Sequence, residues 1–255
     1  MRTDTPVLWQ LRFSHYNEKA RWALDYKGIE HVRRSSLPGP HVLRARRLYG
    51  GRTLPALVLD GRAIGDSTSV IEAAEGLRPE PPLYPADPAD RRRALGLEDH
   101  FDEQLGPYVR RVVFYHLLPD RRFTAEVFTL ERGPAATRAY RLALPLLEPV
   151  MRSSMGIDRE GAEAGRAKTV QALDRIEREA EPDGYMVGGS FTVADLTAAA
   201  LLSPLVRPAQ FSYRLPERWP DAFEAFRDSV KDHPAFAWVT EMYRRHRGTS
   251  AAVNE

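Results

Sequence analysis

A small α/β domain joined to an all-helical domain is the architecture this sequence predicts. Three observations predict it. Short strand and helix signals alternate over the first eighty residues, five prolines crowd into residues 78–88, and no later segment alternates like a strand. At 255 residues the chain has the length of one large domain or two ordinary ones.

Val7 to Leu11 reads as a buried strand. Asn17 to Lys27 follows as a helix, with Ala20, Ala23, Leu24 and Lys27 on one face and Gly28 as its stop. Glu30 to Arg34 reads as a second strand, and Pro40 to Tyr49 as a short basic helix ended by Gly50 and Gly51. Ala56 to Asp60 and Arg62 to Ile64 flank a turn at Asp60-Gly61, the pattern of a hairpin. Ser67 to Leu77 closes the unit as a helix, giving the order β-α-β-α-β-β-α. Arg78 to Pro88 then reads as a stiff, extended linker. Beyond it, Ala89 to Leu118 is expected to be one long helix, with Leu97, Phe101, Leu105, Tyr108, Val112 and Tyr115 at helical spacing. Further helices are expected at Ala135–Met151, Gly161–Ala180, Val193–Leu202 and Asp221–Arg245, the last broken near His233-Pro234. The expected domains are thus residues 1–78 and 89–255, with 79–88 between them.

Composition removes several classes of function. The chain has no cysteine, which excludes disulfides, thiolate metal sites and catalysis by a protein thiol. Its 37 basic residues include only four lysines and are nearly balanced by 35 acidic ones. The densest basic run, Arg91 to Arg93, is followed at once by Glu98, Asp99, Asp102 and Glu103, so a solvated helix face explains it and nucleic-acid binding is not expected. The seven histidines are never three or four residues apart, and no metal site is expected. Met1 to Pro6 has no apolar core of the signal-peptide kind. The most apolar stretch, Val193 to Val206, falls short of the about 18 residues a span needs, so a soluble, cytoplasmic protein is expected.

Three local features carry possible chemistry. Phe13-Ser14-His15-Tyr16-Asn17 lies where the first strand meets the first helix. Free backbone N–H groups and partial positive charge gather there, and the Ser14 hydroxyl could serve a bound anion such as a thiolate. A plain helix N-cap explains the same serine. In Thr53-Leu54-Pro55-Ala56 a proline opens a strand; a cis bond there would turn the Leu54 backbone outward toward a peptide ligand. Gly65-Asp66-Ser67 precedes a helix, where Ser67 is expected to cap. Asp66 and the free N–H groups suit an amino-acid head group, though an ordinary cap explains them too.

Taken together and in this order, the features resemble the glutathione transferase superfamily. So does Phe191-Thr192-Val193-Ala194-Asp195, in which Thr192 would cap a helix and Asp195 reach back to its amide. The resemblance implies a thioredoxin-like N-terminal domain (βαβαββα), an all-α helical-bundle C-terminal domain and a cis Leu54-Pro55 bond. It implies that Ser14 stabilises the thiolate of glutathione as co-substrate, with Tyr16 and Asn17 close enough to share or take that role; serine-type members often have proline where His15 stands. Leu54 would pair with the cysteinyl part next to Pro55, and Asp66 and Ser67 would hold the γ-glutamyl group. Arg52, or His41 and Arg44, would neutralise the glycyl carboxylate. A small-molecule electrophile would lie near Tyr108, Arg111, Val112 and Tyr115, residues whose shared face is also explained as core. A homodimer with Arg62, Arg91, Arg92 and Asp99 at its rim is implied as well. Related activities on this scaffold are isomerisation, ether cleavage and dehalogenation, and a non-catalytic scaffold protein would keep the fold without the chemistry.

Overall fold

A computed structural model of the chain describes residues 4–254, so the first three residues of the segment read for a leader, and Glu255, lie outside the described residues. The first unit follows the expected order: β1 (Val7–Gln10), α1 (His15–Tyr26), β2 (His31–Ser35), α2 (His41–Tyr49), β3 (Ala56–Leu59), β4 (Arg62–Gly65) and α3 (Ser67–Leu77). The helical part comprises α4 (Pro88–Gln104), α5 (Gly106–Leu117), α6 (Arg121–Phe128), α7 (Pro134–Met155), α8 (Arg159–Glu179), α9 (Val193–Val206), α10 (Asp221–Asp228) and α11 (Pro234–His246). The chain then adds β5 (Ala252–Asn254).

The sheet runs β4-β3-β1-β2-β5, with β1 parallel to β2 and antiparallel to β3. Successive side chains take opposite faces, as strand geometry requires. Leu8 and Leu57, partners across β1 and β3, pack with Ala20 and Leu24 of α1 and Val70 and Ala74 of α3. The next pair, Trp9 and Ala56, belongs to the opposite face with Ala45, Leu48 and Tyr49 of α2. The helical domain is organised around α9, which is buried along its whole length. Asp195 holds the start of that helix by accepting from the Thr192 amide at 2.9 Å and the Met186 amide at 2.9 Å, the expected capping box with an added partner. Trp22 of α1 joins the two domains, stacked on Phe191 at a ring separation of 5.6 Å and tilted against Tyr243 at 4.3 Å.

Five expectations are corrected. The long helix over 89–118 is two helices, because Pro107 has no N–H and disfavours a helical conformation before it. A β-carbon on Gly106 would collide with the Tyr16 hydroxyl, so this break is also a place where the two domains approach closely around a glycine. Helix α6 escaped the reading because its eight residues form barely two turns. Helix α7 runs on to Met155, carrying Pro145 and Pro149 within it. The segment 79–88 is not a free spacer: Leu83 and Tyr84 are buried, and Lys27 donates to the carbonyls of Arg78, Pro79 and Pro81. Finally, the last residues leave the helical domain, since β5 returns to the sheet and pairs in parallel with β2. Three residues are too few to show an alternation.

Candidate active site

A cavity of about 740 Å³ opens between the α/β domain and helices α5–α7. Ser14, Tyr16, His41, Arg52, Leu54, Pro55, Asp66 and Ser67 all line it. Of the residues expected on this side, Asn17 lies behind the wall and is fully buried, and Arg44 is drawn away, exposed with its guanidinium 4.2 Å from the Trp9 ring centre.

Asn17 decides the state of Ser14. The Leu11 backbone N–H can only donate, so the amide atom 3.0 Å from it is Oδ1. The Asn17 Nδ2 group therefore faces the other way, donating to the Ser14 hydroxyl oxygen at 2.7 Å and to the Leu54 carbonyl at 2.9 Å. Ser14 Oγ accepts that bond and a longer one, 3.4 Å, from the Asn17 backbone N–H. With its oxygen held as an acceptor, the Ser14 proton has no acceptor among the described residues and is left to the cavity. Ser14 is thus an N-cap of α1, as the plainer explanation had it, and keeps a free donor as well.

The Leu54-Pro55 bond is cis. The Leu54 carbonyl is not turned wholly outward as expected, because it accepts from Asn17; its second lone pair remains. At the third feature the cap is Asp66 rather than Ser67: Asp66 Oδ1 accepts from the Thr68 N–H at 2.9 Å, and Ser67 is the first residue of α3. The turn that permits this puts Asp66 at φ +79°, a region unfavourable to a residue with a β-carbon, by about 1–3 kcal/mol.

The remaining ionisable groups differ in availability. Tyr16 donates its proton to the Asp102 carbonyl at 2.7 Å, and burial, with the Asp102 carboxylate nearby, pushes the phenol further up. Its hydroxyl is engaged. His15 is pushed down to about 3 by burial and then by the Arg110 charge, so its imidazole is neutral at physiological pH. Beneath them the buried Lys19 ammonium bridges Glu98 at 2.8 Å and Asp102 at 2.5 Å, with Thr68 at 3.0 Å, tying α1, α3 and α4 together. His41 is lowered by burial and accepts the Gly39 N–H on Nδ1, leaving Nε2 to donate.

On the helical side the expectation was wrong by a helix face. Tyr108, Arg111, Val112 and Tyr115 do not line the cavity. Val112 is fully buried, and it and the Tyr108 backbone pack so closely on α8 that a β-carbon on Gly165 would lie 2.7 Å from the Tyr108 carbonyl. Arg111 donates to the Met155 carbonyl and stacks on Tyr108. Arg110 and Phe114 line the cavity instead, with Phe128 of α6 and Val150, Met151 and Met155 of α7. Their i, i+4 spacing was visible, but nothing local in the sequence says which face of α5 the cavity meets.

Comparison with known proteins follows the same division. Residues 8–82 match the glutathione S-transferase N-terminal domain, and residues 159–237 match the glutathione S-transferase C-terminal domain. Together the two segments cover more than half of the chain. The chain belongs to the glutathione S-transferase family. Among solved structures, this transferase-like enzyme is similar to a glutathione S-transferase from Rhodospirillum rubrum F11 (23% identity, 92% of this chain and 91% of that one, TM-score 0.59). It is similar to the beta-etherase LigF from Sphingobium sp. strain SYK-6 (21%, 93% and 99%, TM-score 0.59). A glutathione S-transferase from Methylobacillus flagellatus KT with glutathione bound is a third (18%, 95% and 96%, TM-score 0.59). The matched segments hold every residue of the α/β side of the cavity, whereas Arg110, Phe114, Phe128, Met151 and Met155 lie between them. Among the described residues no helix is long and apolar enough to cross a membrane, and no group of three or more side chains is arranged to hold a metal ion.

Proposed function

We propose that this protein is a glutathione transferase in which Ser14 donates a hydrogen bond to the glutathione thiolate. The observation that carries the reading is the orientation of Asn17, which leaves the Ser14 proton directed to the cavity at the N-terminus of α1. A thiol of pKa near 8.5 is mostly protonated at neutral pH, and a donor together with a helix N-terminus favours its ionised form. The thiol proton passes to solvent. The sulfur lone pair then forms a carbon–sulfur bond with an apolar electrophile, which either expels a leaving group with its bonding electrons or takes up a proton after addition. The Leu54 backbone pairs with the cysteinyl part. The free Asp66 oxygen takes the γ-glutamyl ammonium, and the Ser67 N–H its carboxylate. Arg52 neutralises the glycyl carboxylate, with neutral His41 adding a hydrogen bond.

Ser14→Ala tests this. Losing a hydrogen bond to a charged group is worth about 1.5–3 kcal/mol, so the pKa of bound glutathione, followed by thiolate absorbance, should rise by about one to two units. Turnover at neutral pH should fall about tenfold or more, and the deficit should shrink as pH rises. An unshifted pKa with only lost stability would reduce Ser14 to a helix cap.

We also propose a homodimer. Arg62 on β4 and Arg91, Arg92 and Asp99 on α4 are exposed and available to its rim. Sedimentation of micromolar protein as a 28.9 kDa monomer would refute it.

A further inference from the structure

The helical side of the cavity contains a charge that the glutathione reading does not use. Arg110 lies on the cavity-facing side of α5, one turn beyond Gly106, and its Nε is buried without a hydrogen-bond partner. Among the described residues Arg110 makes no hydrogen bond and no ion pair. Other charged residues of the wall differ. Arg12 donates to Ser35 and to the Leu130 carbonyl, Asp102 is ion-paired through Oδ2 to Lys19, which it shares with Glu98, while its Oδ1 is buried without a partner, and Arg52 and Glu103 are exposed to water. A partly buried guanidinium whose Nε is withdrawn from water without a partner is unfavourable until a ligand supplies the missing acceptor. Beside it, His15 Nε2 is also buried without a partner. Burial and the Arg110 charge hold that ring neutral, so it does not compete for the anion.

Toward α6 and α7 the wall beyond Arg110 is apolar. Phe114, its i+4 neighbour, meets Phe128 with ring centres 5.3 Å apart, and Met151 and Met155 complete the wall. Planar guanidinium geometry matches a carboxylate through paired N–H donors. We propose that the second substrate is an apolar electrophile bearing a carboxylate, with Arg110 as the group that receives it and Phe114 and Phe128 as the wall against its hydrocarbon body. This rests on the glutathione reading and specifies the substrate class of the same site.

The test compares 4-(chloromethyl)benzoate with its methyl ester, the same reactive carbon with and without the anion. The wild-type enzyme should prefer the acid at least tenfold in kcat/KM, mainly through KM. Arg110→Gln should bring that ratio to about one, and Arg110→Lys should restore part of it. Equal kcat/KM for acid and ester in the wild type, or an undiminished preference in Arg110→Gln, would overturn the proposal. A shifted pKa or weakened affinity of bound glutathione in Arg110→Gln would also overturn it, by assigning Arg110 to the thiol. Calorimetric binding of unreactive 4-methylbenzoate reads the same site without the thiol. If glutathione does not bind but Arg110-dependent benzoate binding persists, the transferase reading fails and the anion site stands. If neither acid binds, the anion site fails.

Discussion

The two sides of the cavity are built on opposite plans. On the α/β side, the groups that meet the ligand are held by bonds already closed within the chain. Asn17 is shared among Leu11, Ser14 and Leu54, and Asp66 caps its own helix. On the helical side the wall consists of side chains from four helices, α4 to α7, and there the Arg110 Nε is buried without a partner. A site that always receives the same ligand can be preorganised by the backbone. A site that receives a variable one is better made of side chains, which can change without disturbing the fold.

The sharpest way to break this contrast is Asn17→Asp. A carboxylate can still accept the Leu11 N–H but cannot donate to Ser14. The serine proton would then turn inward to the new carboxylate, away from the cavity, and turnover should fall at least tenfold, to the level of Ser14→Ala. Retained activity would mean that the orientation of Asn17 does not control Ser14. Phe114→Ala addresses the other side. It should raise KM for apolar electrophiles about tenfold, the scale of losing a few methylene contacts, while the glutathione Kd stays within about twofold. Loss of glutathione affinity would show that the two sides are not separable. The smallest effect is expected at Tyr115→Phe and Tyr108→Phe, which should move KM by less than about twofold because neither residue lines the cavity. A larger change in KM would restore the face of α5 first expected to bear substrate.

The α/β side was legible because its signals are short. Ser14 and Asn17 are three residues apart, Leu54-Pro55 and Asp66-Ser67 are adjacent pairs, and strand alternation fixes which face carries each loop. Even there the sequence misassigned a role, making Ser67 the cap where the positive φ of Asp66 brings the aspartate into position. The helical side was illegible for a geometric reason. Tyr108, Val112 and Tyr115 do share a stripe, but Val112 and the Tyr108 backbone pack on α8 and none of the three lines the cavity, which meets Arg110 and Phe114. Choosing between two faces of α5 requires knowing where α6 and α7 pass, and these are set by long-range packing. The break at Gly106-Pro107 also ended the continuity through which the stripe was read from Leu97 to Tyr115.

The fifth strand has a consequence for how the protein is made. β2 is complete once residue 35 has left the ribosome, but its outer partner begins only at residue 252. At about 5–20 residues per second, roughly 10–40 s separate the two events. During that interval the edge of the sheet has unpaired backbone groups that any other extended segment can use. The same interval leaves Asp25 and Glu18 without Arg247, which later pairs with both at 2.9 and 2.7 Å. Synthesis of the α/β domain therefore ends long before its assembly does, and the last residues of the sheet act as its closing step.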